Sequence, residues 1–139
     1  MQSGIFKIQA QERVLFGSAA PEAVAAEADH YGAERVFVTS TKSLAALRDG
    51  PLQQIEQALG RRHVGTFSAI ASHSPREDVL AAANAARARD TDLLVAVGGG
   101  SVVDATKVVQ LCLWQNITTP EAMTPVSYTH LTLPTIYSV

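Results

Sequence analysis

Apolar and polar residues follow each other along this chain with two different periods. Ile5 to Gln9 (IFKIQ) alternates as a half-buried strand does, and Arg13 to Phe16 (RVLF) offers it a hairpin partner. Pro21 suits a first helical turn and Gly32 a helix end, with Val24, Ala28 and Tyr31 on one face between them. Arg35 to Thr39 (RVFVT) is short, β-branched and aromatic, which predicts a strand. A helical segment begins at Ser43, breaks at Asp49-Gly-Pro51, resumes through Leu52, Ile55 and Leu59, and stops at Gly60. Val64 to Ile70 is a weaker strand pattern. Ser74-Pro-Arg-Glu77 combines a serine cap, an early proline and a glutamate three residues on, a helix start whose apolar stripe is Val79, Ala82, Ala83 and Ala86. Arg87 and Arg89 fall at its C-terminal end, where they complement the helix dipole. Leu93 to Val97 (LLVAV) is apolar throughout, as a strand covered on both faces must be. A last helix is predicted from about Val102 to Leu113.

Strands that alternate with helices of roughly 10–15 residues predict an α/β fold with a parallel sheet and crossover helices. The chain of 139 residues is long enough for one domain with a core, and 47% hydrophobic against 17% charged residues is a globular balance. The net charge of −2 leaves no basic stripe for nucleic acid. No apolar run reaches membrane-spanning length, and MQSGIFKIQAQER carries no signal-peptide core. A single cysteine, Cys112, allows no internal disulfide, which fits a reducing compartment. The expectation is a cytoplasmic protein without a nucleic-acid or membrane partner.

Candidate chemistry concentrates in VAVGGGSVVDATK, residues 95–107. An apolar strand ends in Gly98, Gly99, Gly100 and Ser101 and turns directly into a helix. In an open parallel sheet, ligands bind beyond the carboxyl ends of strands. The first amides of a helix lack internal acceptors and carry partial positive charge, so a phosphate suits them. Glycines let the phosphate approach the main chain without meeting a Cβ. Glycine geometry alone is the competing explanation. Ser101-Val-Val-Asp104 is also nearly a capping box, with Ser101 as cap, and Asp104 and Lys107 can form a plain surface pair. Two other glycine patterns are excluded. A Walker loop places its lysine straight after the glycines, and Lys107 lies too far on; a GxGxxG turn needs glycine where Val103 stands.

LLVAVGGGSVVDATK resembles the GGGSxxDxxK segment of the iron-containing alcohol dehydrogenase superfamily, which includes maleylacetate reductases. RVLFGSAAPEAVAAEADHYGAERVFVTSTKSL and HSPREDVLAAANAARARDTD are similar to the segments that precede it there. The resemblance covers residues 1–124. It implies a Rossmann-like, doubly wound domain with an N-terminal β-hairpin that binds NAD or NADP. Gly98, Gly99, Gly100 and Ser101 would take the pyrophosphate, with Asp104 near the nicotinamide ribose. Thr41 stands where NAD-preferring members often carry an aspartate for the adenosine ribose, and Lys42 is adjacent, so NADP is accommodated. An ordinary helix cap at Thr41 with a solvated Lys42 is the other reading.

The implied activity is hydride transfer between nicotinamide and a small alcohol or carbonyl compound, in a homo-oligomer when intact. A sugar-phosphate lyase or synthase of dehydroquinate-synthase type, or a non-enzymatic nucleotide-binding domain, would use the same fold. The family's iron or zinc ligands lie in a helical C-terminal domain that is missing from this stretch. His30, His63, His73 and His130 have no ligand spacing. Cys112, Trp114 and Met123 are expected to be packing residues. The segment from Val126 to Val139 (VSYTHLTLPTIYSV) has no helix period and no charged side chain, and it resembles translated read-through of a transposon-type sequencing adapter. Residues 125–139 are therefore expected to be a non-native tail behind a domain of residues 1–124, with a native edge strand as the alternative reading.

Overall fold

The apolar strand patterns assemble into one parallel sheet. The computed structural model describes residues 20–71, 76–116 and 135–138. The expected hairpin, the Ser74 cap, His73, Met123 and His130 lie outside them. Helix α1 (Ala20–His30) leads to strand β1 (Val36–Thr39), a short helix α2 (Lys42–Ala45) and helix α3 (Pro51–Leu59). A single 3-10 turn at Gly60–Arg62 then feeds β2 (His63–Phe67), followed by α4 (Arg76–Ala88), β3 (Leu93–Val97), α5 (Gly100–Gln115) and β4 (Thr135–Ser138). The sheet order is β2-β1-β3-β4, with parallel pairing throughout.

Strand alternation divides the core in two. Val36 and Val38 of β1 and Leu93, Val95 and Val97 of β3 face one layer, where they pack with Val24 and Ala28 of α1 and Leu52, Ile55 and Leu59 of α3. Phe37, Leu94 and Ala96 face the other layer, against Val79, Ala82, Ala83 and Ala86 of α4 and Val102, Val109 and Cys112 of α5. Both faces are covered, so β1 and β3 read as continuous apolar runs rather than as alternating ones. The result is the parallel α/β sheet expected from the pattern of elements, in the doubly wound, Rossmann-like form that the resemblance implies. Ala82, Ala83 and Ala86 of α4 have no exposed surface and let that helix approach closely. Each buried Leu or Ile of α3 contributes about 1.5–3 kcal/mol.

The ends of the elements follow from backbone chemistry. α1 closes in a Schellman turn: Gly32 has φ +66°, and the Ala33 amide donates to the Ala28 carbonyl at 2.9 Å. β2 is shorter than predicted and stops at Phe67. There the chain turns across β1, with the Ser40 amide bonded to the Phe67 carbonyl and the Ile70 amide to the Ser40 carbonyl. α5 starts two residues earlier than predicted, and its cap is Gly99 rather than Ser101. Ser101 already lies within the helix, so the capping box expected at Ser101–Asp104 does not form.

Residues 135–138, within the stretch expected to be a non-native tail, lie parallel to β3 along its outer edge. An open ladder edge pairs with any β-prone segment that reaches it, so this strand and the adapter-like reading of its sequence are compatible.

Candidate functional site

The chain reaches β1 first, crosses to β2 on one side, and then returns to place β3 on the other side of β1. The connection after β1 runs through α2 and α3 on one face, while α5 follows β3 on the opposite face. The two connections diverge above the carboxyl ends of β1 and β3. A crevice at such a reversal is where open α/β sheets receive ligands.

The two sets of residues singled out from the sequence follow β1 and β3 at this end of the sheet. After β3, Gly98 is buried at φ +148°, a conformation that L side chains rarely adopt. Gly99 and Gly100 are exposed, and a Cβ added at either would meet nothing within 4 Å. The main chain is therefore bare toward solvent where the 16-residue helix α5 begins. The helix places roughly half a positive charge at that end, and its N-cap, Gly99, has no side chain to bond the first amides. The Val102 and Val103 amides both donate to the Gly99 carbonyl at 3.1 Å, which seats the first turn. Ser101 is partly exposed on that turn, and Asp104 and Lys107 are exposed further along α5.

After β1, Thr41 caps α2: its Oγ1 accepts the Leu44 amide at 3.2 Å. The cap reading of Thr41 therefore holds in the structure, at the sheet end where the resemblance places the ribose. Between the two loops stands Ser40, which sequence reasoning passed over. Its hydroxyl donates to the Val97 carbonyl at 2.8 Å and ties the end of β1 to the last residue before Gly98. Thr39 and Thr106, also buried, were likewise passed over. Little in the sequence signals them, since Thr39 and Ser40 open the polar run TSTKS and Thr106 stands between Ala105 and Lys107.

The bare turn fits a diphosphate, because its open side is main chain rather than side chain. No three metal-ligating side chains converge among the described residues. His63 begins β2, at the sheet end opposite the glycines; its Nε2 lies 2.6 Å from Thr66 Oγ1 and 3.7 Å from Glu56. His30 closes α1 with its ring edge-on to Tyr31. Cys112 is buried under α4, and burial pushes its thiol up from the ordinary value, partly opposed by the Arg87 guanidinium. Trp114 is partly buried near the end of α5. No described helix is long and apolar enough to cross a membrane.

A parallel sheet wound on both faces, with a bare glycine turn at its point of reversal, defines an α/β domain of Rossmann-like type. The chain belongs to the iron-containing alcohol dehydrogenase family, whose pattern matches residues 11–138. It is 38% identical over 116 residues to a maleylacetate reductase of Sphingobium indicum, which covers 84% of this chain and 30% of that protein. Maleylacetate reductase 2 of Cupriavidus pinatubonensis is 38% identical over 99 residues, 71% of this chain and 26% of its own length. The chain thus spans between about a quarter and a third of these curated relatives.

Among solved structures, maleylacetate reductase from Agrobacterium tumefaciens superposes with a TM-score of 0.65 at 25% identity, covering 91% of this chain and 40% of that one. Sulfoacetaldehyde reductase from Bifidobacterium kashiwanohense, solved in complex with NAD+, shares the fold with a TM-score of 0.74 at 21% identity. That match covers 88% of this chain and 32% of the reductase.

Proposed function

We propose that this chain is the cofactor-binding part of an NAD(P)-dependent oxidoreductase acting on CH–OH groups. Such an enzyme moves a hydride between nicotinamide and a small alcohol or carbonyl compound. The observation that carries the proposal is the open main chain at Gly99 and Gly100, set at the head of α5 where the sheet reverses. In this reading the amides of Gly98, Gly99, Gly100 and Ser101 hold the pyrophosphate. Asp104 stands near the nicotinamide ribose, and Thr41 flanks the adenosine ribose. The bound nicotinamide supplies the hydride chemistry; the chain's residues bind and orient it.

Thr41 carries no charge, so the 2′-phosphate of NADP meets no repulsion there, and the neighbouring Lys42 favours it. Identity of 38% to two maleylacetate reductases favours that branch of the family for the substrate.

Calorimetric titration of NAD+ and NADP+ into the chain tests the proposal. Saturable binding is expected, and Gly99→Val should abolish it without changing the circular dichroism spectrum. Absence of binding, or equal binding by Gly99→Val, would refute the phosphate-loop reading.

A further inference from the structure

We propose that Thr39 and Thr106 are positioning residues, a buried hydroxyl relay that sets the first turn of α5 against the sheet and so aims the glycine amides. The inference rests on the dinucleotide reading of the glycine turn. Thr106 Oγ1 donates to the Val102 carbonyl at 2.7 Å, one turn back along the helix. A hydroxyl has one proton to give. Thr106 must therefore accept at its 2.6 Å contact with Thr39 Oγ1, which makes Thr39 the donor. The remaining neighbour of Thr39, the Val95 carbonyl at 3.5 Å, lies at the outer limit of hydrogen bonding. The relay thus runs in one direction, from the end of β1 through Thr106 to Val102.

Its end point is what gives it a role. Val102 is the residue whose side chain occupies the space over Gly98, and its amide bonds the Gly99 carbonyl. Whatever holds Val102 holds the glycine turn on both sides. Further along α5 the contacts with the sheet layer are apolar, through Val109 and Cys112. Apolar packing is non-directional and tolerates small slides of a helix. The short Thr39–Thr106 bond between sheet and helix does not, because its strength falls steeply with misalignment, and the Thr106–Val102 bond within α5 carries that restraint one turn back. The relay sits at the end of the sheet where the diphosphate would lie, and Ser40 secures the neighbouring Val97 carbonyl.

The test uses the full chain with Thr106→Val, which keeps shape and loses the hydroxyl, and Thr106→Ser, which keeps the hydroxyl. Thr39→Val removes the donor without touching the helix, and Gly99→Val serves as the binding control. Binding of NAD+ and of ADP-ribose is measured by calorimetry, and hydrogen exchange is followed at the Val102 and Val103 amides. Thr106→Val and Thr39→Val should weaken both ligands about fivefold to tenfold, as loss of one net hydrogen bond does. Exchange at the two amides should accelerate while core strand amides keep their protection, and Thr106→Ser should restore both properties.

The proposal is overturned if the valine variants bind and exchange like the parent, or if Thr106→Ser fails as Thr106→Val does. Should Thr106→Val not fold, Thr39→Val decides by the same two readouts. If the parent chain binds neither ligand, the dinucleotide reading falls. The exchange comparison then still decides whether the relay sets the turn.

Discussion

Replacing Gly98 by alanine separates the architectural glycine of the turn from its neighbours. Gly98 has φ +148°, and a Cβ there would stand 2.7 Å from Val102 Cγ2 and 3.2 Å from Val102 Cβ. Val102 is β-branched and 1% exposed, so it cannot swing aside. The unfavourable backbone conformation costs about 1–3 kcal/mol, and overpacking adds about 1–3 kcal/mol. Together they remove about 2–6 kcal/mol, a large share of a small domain's stability. With an ordinary urea dependence, the unfolding midpoint should fall on the order of 2 M.

Gly99→Ala is the matched control. Its φ of −88° suits alanine, and the added methyl meets nothing within 4 Å. Its stability should stay within about 0.5 kcal/mol of the parent, because a weaker helix cap is offset by a less flexible unfolded chain. Equilibrium urea denaturation followed by circular dichroism makes the comparison. Equal midpoints for the two variants would refute the steric account of Gly98.

Three further outcomes are expected. Thr41→Asp keeps a good helix cap but puts a carboxylate beside the proposed ribose site; NADP should weaken at least about tenfold relative to NAD. An unchanged ratio, read by calorimetry, would remove Thr41 from the site. Cys112 holds its proton more tightly folded than unfolded, so its contribution to stability is complete below the ordinary thiol value and declines as pH rises beyond it. Unfolding free energy should therefore fall at alkaline pH, less so in Cys112→Ala. A thiol reagent that labels native and urea-unfolded chains equally fast would count against the buried thiol.

We also infer that residues 125–139 are an appended tail, although Thr135–Ser138 pairs with the edge of β3. Deleting residues 126–139 should lower stability by less than about 2 kcal/mol in urea unfolding, since only an edge strand is lost. A loss of several kcal/mol would make the tail integral to the sheet.

Local chemistry made much of the fold legible. α1 could be read from Pro21, Gly32 and its apolar face, and α4 from its alanine-rich stripe. β3 could be read from five apolar residues in a row, all of which are buried. Boundaries were less legible where a distant segment decides them. β2 ends at Phe67, where the backbone of Ser40, just past β1, donates to the Phe67 carbonyl and accepts the Ile70 amide. α5 begins at Gly100 because the turn places the cap on Gly99, which the serine two residues on seemed better suited to provide. The glycine run marked the bare turn between a buried strand and a helix that the proposed diphosphate site requires.

Periodicity and glycine placement are properties of neighbouring residues, so the sequence alone determined the alternation of strands and helices and the location of the turn. Strand order is a different matter. That β3 returns to the far side of β1, bringing Thr41 and the glycines to one end of the sheet, depends on pairings between residues more than fifty positions apart. The same holds for the hydroxyls. Thr39 and Thr106 are 67 residues apart and 2.6 Å from each other, and nothing in either one's neighbours names the other as partner. Only the packed sheet, which buries both groups and obliges each to find a hydrogen bond, made that choice.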